Sequence, residues 1–383
     1  MASSGAHERR PRSRRDWANL DAGPVGLVAE HLLRNDVVDL VRLRAVCRSW
    51  RASSAHLRAQ GVLDRRFHPR RWIMLPKEFD IRGRRRFLNV FTGKSIYQGL
   101  PYVDLLSEYV LTTTFEGLIL QLSTCTGKLL NPLTGQVAGL PSAATLLFGQ
   151  TLSNLEVSGV GLANDDTVVL HFRSFYVAVA KPGDERWTHV HSHDRIISVL
   201  PFAGHIYCAT SKNISSVQTQ TAAANQPPRL VVAADHGLHT GFQSLEEFEY
   251  QLFMGDSQIF LMENNGELIM CHRTHSCSPQ IVGDCNVSMY RVNWNAKNTV
   301  PQHGLDGKVL FLGKKILQVA PGVSPSISAD SKYLCWSKTK CNYDATDYAV
   351  DVLLGGGAEA KFKKDDAAYY LSCYVSHSYS EHV

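Results

Sequence analysis

The chain has 383 residues, 44% of them hydrophobic and 20% charged, which is enough apolar material for a large core and unlike a disordered or collagen-like composition. No apolar run approaches the roughly 18 residues that cross a bilayer. The basic start lacks the apolar stretch of a secretory signal, so no membrane partner and a place in the cytoplasm and/or nucleus are expected. The nine cysteines, scattered from Cys47 to Cys373 without paired spacing, read as reduced thiols and small hydrophobes.

The net charge of +5 conceals a split. Residues 1–86 carry 20 Lys and Arg against 9 Asp and Glu, a balance of +11, while the other 297 carry 20 against 26, a balance of −6. Such asymmetry suggests two modules with different partners. Residues 1–15 are polar and contain Arg9, Arg10, Arg12, Arg14 and Arg15, and they are expected to be a disordered basic tail.

Residues 16–60 read as helices. Leu27, Val28, Leu32 and Leu33 recur at helical spacing, and Asn35 is placed to cap the next helix, with Asp36 and Asp39 in its first turn. That helix puts Val37, Leu40, Leu43 and Cys47 on one face and Arg44, Arg48 and Arg51 on another, with Trp50 closing the segment. About 45 residues enclose little core, so these apolar faces are expected to need a partner or neighbour. Residues 61–100 read as a basic linker and the first strands. Arg65, Arg66, Arg70, Arg71, Arg82, Arg84, Arg85 and Arg86 there alternate with Phe67, Trp72 and Phe87, a mixture that single-stranded nucleic acid can use. Charge runs of this kind rarely read sequence, so a solvated linker is the favoured reading and nucleic acid is not an expected partner.

From about residue 101 to 345 short runs rich in Val, Ile, Tyr, Phe and Thr alternate with turn residues. This is the pattern of an all-β domain, with helical periodicity nearly absent after residue 60. Glu116-Gly117, Ala203-Gly204, Asn265-Gly266 and Asp306-Gly307 each precede an apolar strand. The gaps between these glycines are 87, 62 and 41 residues, and two of them fit a blade period of roughly 40–50, the last as one period and the first as two. A β-propeller hides its strand edges by radial repetition and suits this length. Residues 346–383 then read as a last strand and C-terminal tail.

Catalytic chemistry is sparse. Gly93-Lys94-Ser95 ends like a phosphate-binding loop, but Leu88 stands where its first glycine is required. His189, His191 and His193 would share one face of a strand, and Cys271, His272, His275, Cys277 and Cys285 gather soft ligands. Neither set has the paired spacing of a zinc site, so no metal, no cofactor and no catalytic residue is expected.

Trp17-Ala-Asn-Leu20, Val25 to Leu32, Asp36 to Leu40 and above all Val46-Cys-Arg-Ser-Trp-Arg51 resemble the F-box. Asp21 stands where that motif usually has proline. Leu129-Leu-Asn-Pro-Leu-Thr-Gly135, Val199 to Tyr207, Tyr290 to Trp294, Leu305 to Gly313 and Pro325 to Asp330 resemble the propeller carried by plant F-box proteins, the KIB-type propeller once classed as a domain of unknown function. The resemblance spans residues 16–340. It implies a small all-α F-box of two to three helices followed by a large all-β domain, with a propeller at 101–345. It implies docking on a Skp-type adaptor, and through it a cullin, by Leu20, Leu27, Leu32, Leu40, Leu43, Val46 and Trp50. The propeller would then hold a target protein, whose binding residues the sequence does not name, for ubiquitination, and the chain would not itself be an enzyme. The alternatives are a propeller that binds or inhibits a partner outside any ligase, and a nucleic-acid-binding regulator working through residues 65–86.

Overall fold

The computed structural model describes residues 16–57, 61–100, 108–172, 176–219, 227–254, 256–275, 285–337, 350–354, 359–377 and 380–382. The five arginines of the tail at 1–15 lie outside them. The chain divides into a helical unit, residues 1–60 with 65–67, and a second unit comprising 61–64 and 68–383.

The helical unit contains α1 (Ala22–Asn35), α2 (Val37–Val46) and α3 (Arg48–Ala52). One extended residue separates each pair. Asp36, at φ −159°, ends α1 and caps α2, its carboxylate accepting the Val38 N–H at 2.9 Å. The expected cap was Asn35, which instead completes α1; Asp36 takes the role because the backbone leaves the helix there. Cys47, at φ −155°, repeats the device, its sulfur accepting from Trp50 N at 3.4 Å. Val25, Ala29, Leu40, Leu43 and Phe67 are buried together, with Leu20, Leu32, Leu33, Trp50, Ala55 and Leu57 packed around them. At roughly 1.5–3 kcal/mol for each fully buried aliphatic side chain, this is a thin core.

The second unit is all-β apart from short helices. It opens with a three-stranded sheet, β1 (Trp72–Met74), β2 (Arg85–Asn89) and β3 (Ser95–Gln98). Larger sheets, mostly antiparallel, follow in chain order. The first is β4 (Val110–Thr113), β5 (Ile119–Leu122), β6 (Gly127–Leu130) and β7 (Val137–Leu140). The next is β8 (Val157–Leu162), β9 (Val168–Phe172), β10 (Tyr176–Ala180) and β11 (Thr188–His189). Two further meanders are β12 (Ile196–Phe202) to β15 (Arg229–Asp235) through β13 (His205–Thr210) and β14 (Asn213–Gln218), and β16 (Ser257–Asn264) to β19 (Asn298–Pro301) through β17 (Glu267–His275) and β18 (Cys285–Asn293). A single parallel pair, Asp235 with Asn298, links these two. The last sheet holds β20 (Val309–Leu312), β21 (Ile316–Val319), β22 (Lys332–Ser337), β23 (Val350–Leu354) and β24 (Glu359–Ala360). β25 (Ser380–His382) returns to pair with β4, tying the end of the chain to its first four-stranded sheet.

Strands β4, β8, β12, β16 and β21 touch in succession, so the sheets stand side by side and share cores. On β9, Val168, Leu170 and Phe172 face the core shared with β4–β7, while Val169 faces that of β12–β14. On β17, Leu268 and Met270 turn one way and Ile269 and Cys271 the other. A strand alternates faces at every residue. Because both faces here meet a neighbouring sheet, the strands read as unbroken apolar runs rather than as alternating ones. This stacking of sheets about shared cores is that of a β-propeller.

The glycine repeat has a backbone cause. Ala203-Gly204 and Asn265-Gly266 carry φ of +47°/+83° and +50°/+79° in the two-residue turns β12–β13 and β16–β17, the twist that joins adjacent antiparallel strands. A Cβ at Gly204 would collide with the Asn164 side chain. The 87-residue gap hides a member without glycine: Asp166, at φ +63°, turns β8 into β9. The 62-residue gap holds an inserted helix, α4 (Leu245–Met254). A further helix, α5 (Ala367–Ser376), buries Ala368, Leu371 and Val375 against β20–β22 and the three-stranded sheet. Both helices depart from the expectation of almost none after residue 60. They are ten-residue pieces too short to impose a period on the surrounding β texture.

Candidate functional site

The helical unit separates the seven residues expected to dock an adaptor. Leu40 and Leu43 are fully inside it, and Leu20, Leu32 and Trp50 line the border of its core. Leu27 and Val46 point outward, 72% and 61% exposed. Two exposed side chains that the sequence reading left off that list join them: Trp17, in the turn Trp17–Asn19, and Val28. The helical period accounts for the division. Val25 and Ala29, four apart, face inward with Leu32 and Leu33 seven and eight on, so Leu27 and Val28 fall on the other side of α1.

The outward face rests on a braced frame. Trp50 Nε1 donates to the Trp17 carbonyl at 3.0 Å. Arg44 Nη1 lies 2.8–3.0 Å from the carbonyl oxygens of Arg51, Ser54 and Ala55 and from the Ser54 hydroxyl. A guanidinium thus closes the carbonyl end of α3, where the helix dipole favours a cation. Burial lowers the Arg44 pKa, and the neighbouring Arg51 lowers it further. The arrangement can bind a partner by apolar contact.

Part of the arginine-rich segment is used in packing. Arg85 pairs with Asp80 at 3.3 Å and is buried. Arg86 donates to Ser95 Oγ and sits 4.1 Å from the Tyr370 ring centroid, Arg71 lies 4.7 Å from that of Phe91, and Arg66 lies 5.5 Å from that of Phe67. Arg66, Arg70, Arg82 and Arg84 are exposed.

The metal candidates do not assemble among the described residues. Among the described residues no three His, Cys, Asp or Glu side chains gather as a metal group. His189 donates its Nε2 proton to the Thr145 carbonyl at 3.3 Å. Cys271 and His272, adjacent on β17, face opposite sides, Cys271 into an apolar core and His272 to Ser257 Oγ at 2.7 Å. Cys277 and the side chains of His275 and Cys285 lie outside the described residues. Gly93-Lys94-Ser95 belongs to the β2–β3 hairpin, with Gly93 N bonded back to the Asn89 carbonyl.

Buried titratable groups occur in the propeller. Burial pushes His272 down to about 4, with His236 adding to the effect. His236 is neutral by its bonding, Nδ1 accepting from Leu238 N and Nε2 donating to the Thr210 carbonyl. The Ser257–His272 pair is closed off, Ser257 being fully buried and the Phe248 ring of α4 meeting His272 edge-on. Glu116 accepts from Leu162 N at 3.0 Å, and burial raises its pKa. Among the described residues no helix is long and apolar enough to cross a membrane.

Comparison with known proteins bears on the second unit. The solved N-terminal domain of Nup159 is 8% identical over 73% of this chain and 74% of its own, at a TM-score of 0.31. The Cps50 (Swd1) beta-propeller domain of Myceliophteria thermophila is 9% identical over 67% and 85%, at 0.30, and an ancestral GH74 enzyme 8% over 79% and 44%, at 0.33. No curated protein matches the chain. The model of the KIB1-4 beta-propeller matches residues 106–351, a span that contains β4 to β22. The chain therefore belongs to the KIB1-4 beta-propeller family.

Proposed function

We propose that this chain is the substrate-recognition subunit of an SCF-type E3 ubiquitin ligase. In this reading the helices are an F-box that docks on a Skp-type adaptor, and through it a cullin, while the propeller holds a target protein. The chain makes and breaks no bond itself and needs no cofactor. It accelerates ubiquitin transfer by keeping the target at high effective concentration beside the charged conjugating enzyme, in the cytoplasm and/or nucleus.

The observation that carries the reading is the exposure of Leu27 and Val46 on helices whose own core is small. Each such side chain holds back roughly 1.5–3 kcal/mol that burial against a partner would release. The sequence Val46-Cys-Arg-Ser-Trp-Arg51 adds to it. The engagement of Arg71, Arg85 and Arg86 within the chain counts against a nucleic-acid regulator. A propeller that binds its partner outside any ligase is the second reading, favoured by a family match confined to residues 106–351.

The test is capture of a purified Skp-type adaptor by the full chain, beside Leu27→Asp/Val46→Asp. Capture that the double variant loses while keeping its melting temperature supports the ligase reading. Absence of capture by the unaltered chain leaves the second reading.

A further inference from the structure

Between β1 and β2 the chain makes a tight hairpin whose tip is Ile81-Arg82-Gly83-Arg84. Ile81 N donates to the Arg84 carbonyl at 3.2 Å and Arg84 N to the Ile81 carbonyl at 3.0 Å, which closes a two-residue turn. Arg82 and Gly83 carry φ of +55° and +70°. Both central residues of such a turn are left-handed, so its first place suits asparagine or glycine. Here it holds an arginine, at a backbone cost.

Arg82 and Arg84 are exposed, and Ile81 beside them is 50% exposed. Among the described residues neither arginine takes part in an ion pair. Asp80 is turned to the base of the hairpin, one carboxylate oxygen accepting from Arg86 N at 3.2 Å and the other lying 3.3 Å from Arg85 Nη1. The base is anchored in turn. Phe79 meets the Tyr370 ring of α5 edge-on at 5.1 Å, and Leu75 N donates to the Arg86 carbonyl at 2.9 Å. With Glu78 and Asp80 counted, residues 77–86 hold five basic against two acidic side chains. The second unit as a whole holds 27 basic against 29 acidic, so the positive charge belongs to this tip and not to the unit.

We propose that this tip is a contact for an acidic segment of a partner protein. The inference goes beyond the ligase reading and does not depend on it. Two guanidinium groups held on one closed turn can each fork onto a carboxylate, and an apolar residue of the same segment would cover Ile81. Nucleic acid fits less well. Single-strand surfaces interleave aromatic rings with cations, whereas the exposed apolar side chain in this turn is aliphatic. Duplex affinity grows with the number of phosphates neutralised, and two arginines neutralise few.

The test is a random-peptide display selection on the full chain, counter-selected on Arg82→Asn/Arg84→Gln and followed by titration of the enriched peptides. Each peptide is also measured on Arg186→Gln/Arg229→Gln, which removes the same charge from exposed arginines elsewhere in the second unit. Enriched peptides should be rich in Asp and Glu. They should lose about tenfold in affinity on the first pair and less than about threefold on the second, because exposed charges act at contact and distant ones are screened. Asparagine accepts a positive φ, so Arg82→Asn/Arg84→Gln should melt no lower than the unaltered chain, which separates lost binding from lost folding. No enrichment, enriched peptides without acidic residues, or equal losses on the two pairs would overturn the proposal. So would a single-stranded oligonucleotide that binds the unaltered chain more tightly than the peptides and loses as much on the first pair. Adaptor capture, measured on the same variants, should be unchanged. Its absence throughout, with peptide binding intact, would remove the ligase reading and leave this contact standing.

Discussion

The two units bury their apolar side chains to very different degrees. In the propeller each sheet lends both faces to neighbours, so Val168 to Phe172 and Leu268 to Cys271 are all but sealed from water. In the helical unit five buried residues form the core, and Trp17, Leu27, Val28 and Val46 remain outside. The propeller too leaves single rings such as Phe115 and Trp294 exposed, but in the helical unit the bare side chains are nearly as many as the buried ones. The contrast also separates what a substitution does in each place: loss of fold when it falls inside, loss of contact when it falls outside.

The largest effect expected is therefore that of Leu40→Asp. A carboxylate in a core of five side chains has no partner there, and the cost, at least about 3 kcal/mol, rivals all that so small a unit can hold. Amide exchange across residues 22–52 should become fast while β8–β18 stay protected. Uniform loss of protection would show that the units do not fold separately.

Next in size is a pH effect in the propeller. His272 is held at about 4, below the roughly 6.5 of an unfolded histidine. Stability from its neutral form is complete above pH 6.5 and is lost as pH falls toward 4, about 3 kcal/mol over the range at roughly 1.4 kcal/mol per pKa unit. Burial lowers His236 in the same direction. Glu116 runs oppositely: its raised pKa gives stability below the ordinary glutamate range that is lost as pH rises through the folded value. Urea titrations from pH 7 to 4 should show the decline for the unaltered chain and a flatter profile for His272→Gln. An equally steep decline in that variant would assign the pH dependence elsewhere.

Smaller still is the cap. Asp36→Ala removes the acceptor for Val38 N and should cost the helical unit about 1 kcal/mol; Asn35→Ala, one residue earlier, should cost less than half as much. Thermal melting followed by helical circular dichroism ranks the two. Equal costs would contradict Asp36 as the cap.

The β architecture was readable because apolar runs broken by Gly, Asn and Asp are what strands covered on both faces require. The repeat was only half readable. Asp166 serves the β8–β9 turn without glycine, and α4 stretches a later interval, so a period counted on glycines missed one member and misjudged another. The helix C-terminal to residue 350 was invisible because its burial depends on β20–β22, which the local sequence does not encode. In the helical unit Leu40 and Leu43 were legible as one face of α2, but not as its interior: the sequence places apolar residues on a stripe without saying whether the stripe meets its own chain or another.

The central claim is that Leu27 and Val46 are left outside for an adaptor to cover. Calorimetric titration of the full chain with a purified Skp-type adaptor tests it most directly, over several temperatures and beside Leu27→Asp/Val46→Asp. Burial of apolar surface predicts binding with a negative heat-capacity change, abolished in the double variant, whose melting temperature stays within about 0.5 kcal/mol equivalent of the unaltered chain because surface changes cost little. No binding, or binding of equal affinity by the double variant, would contradict it.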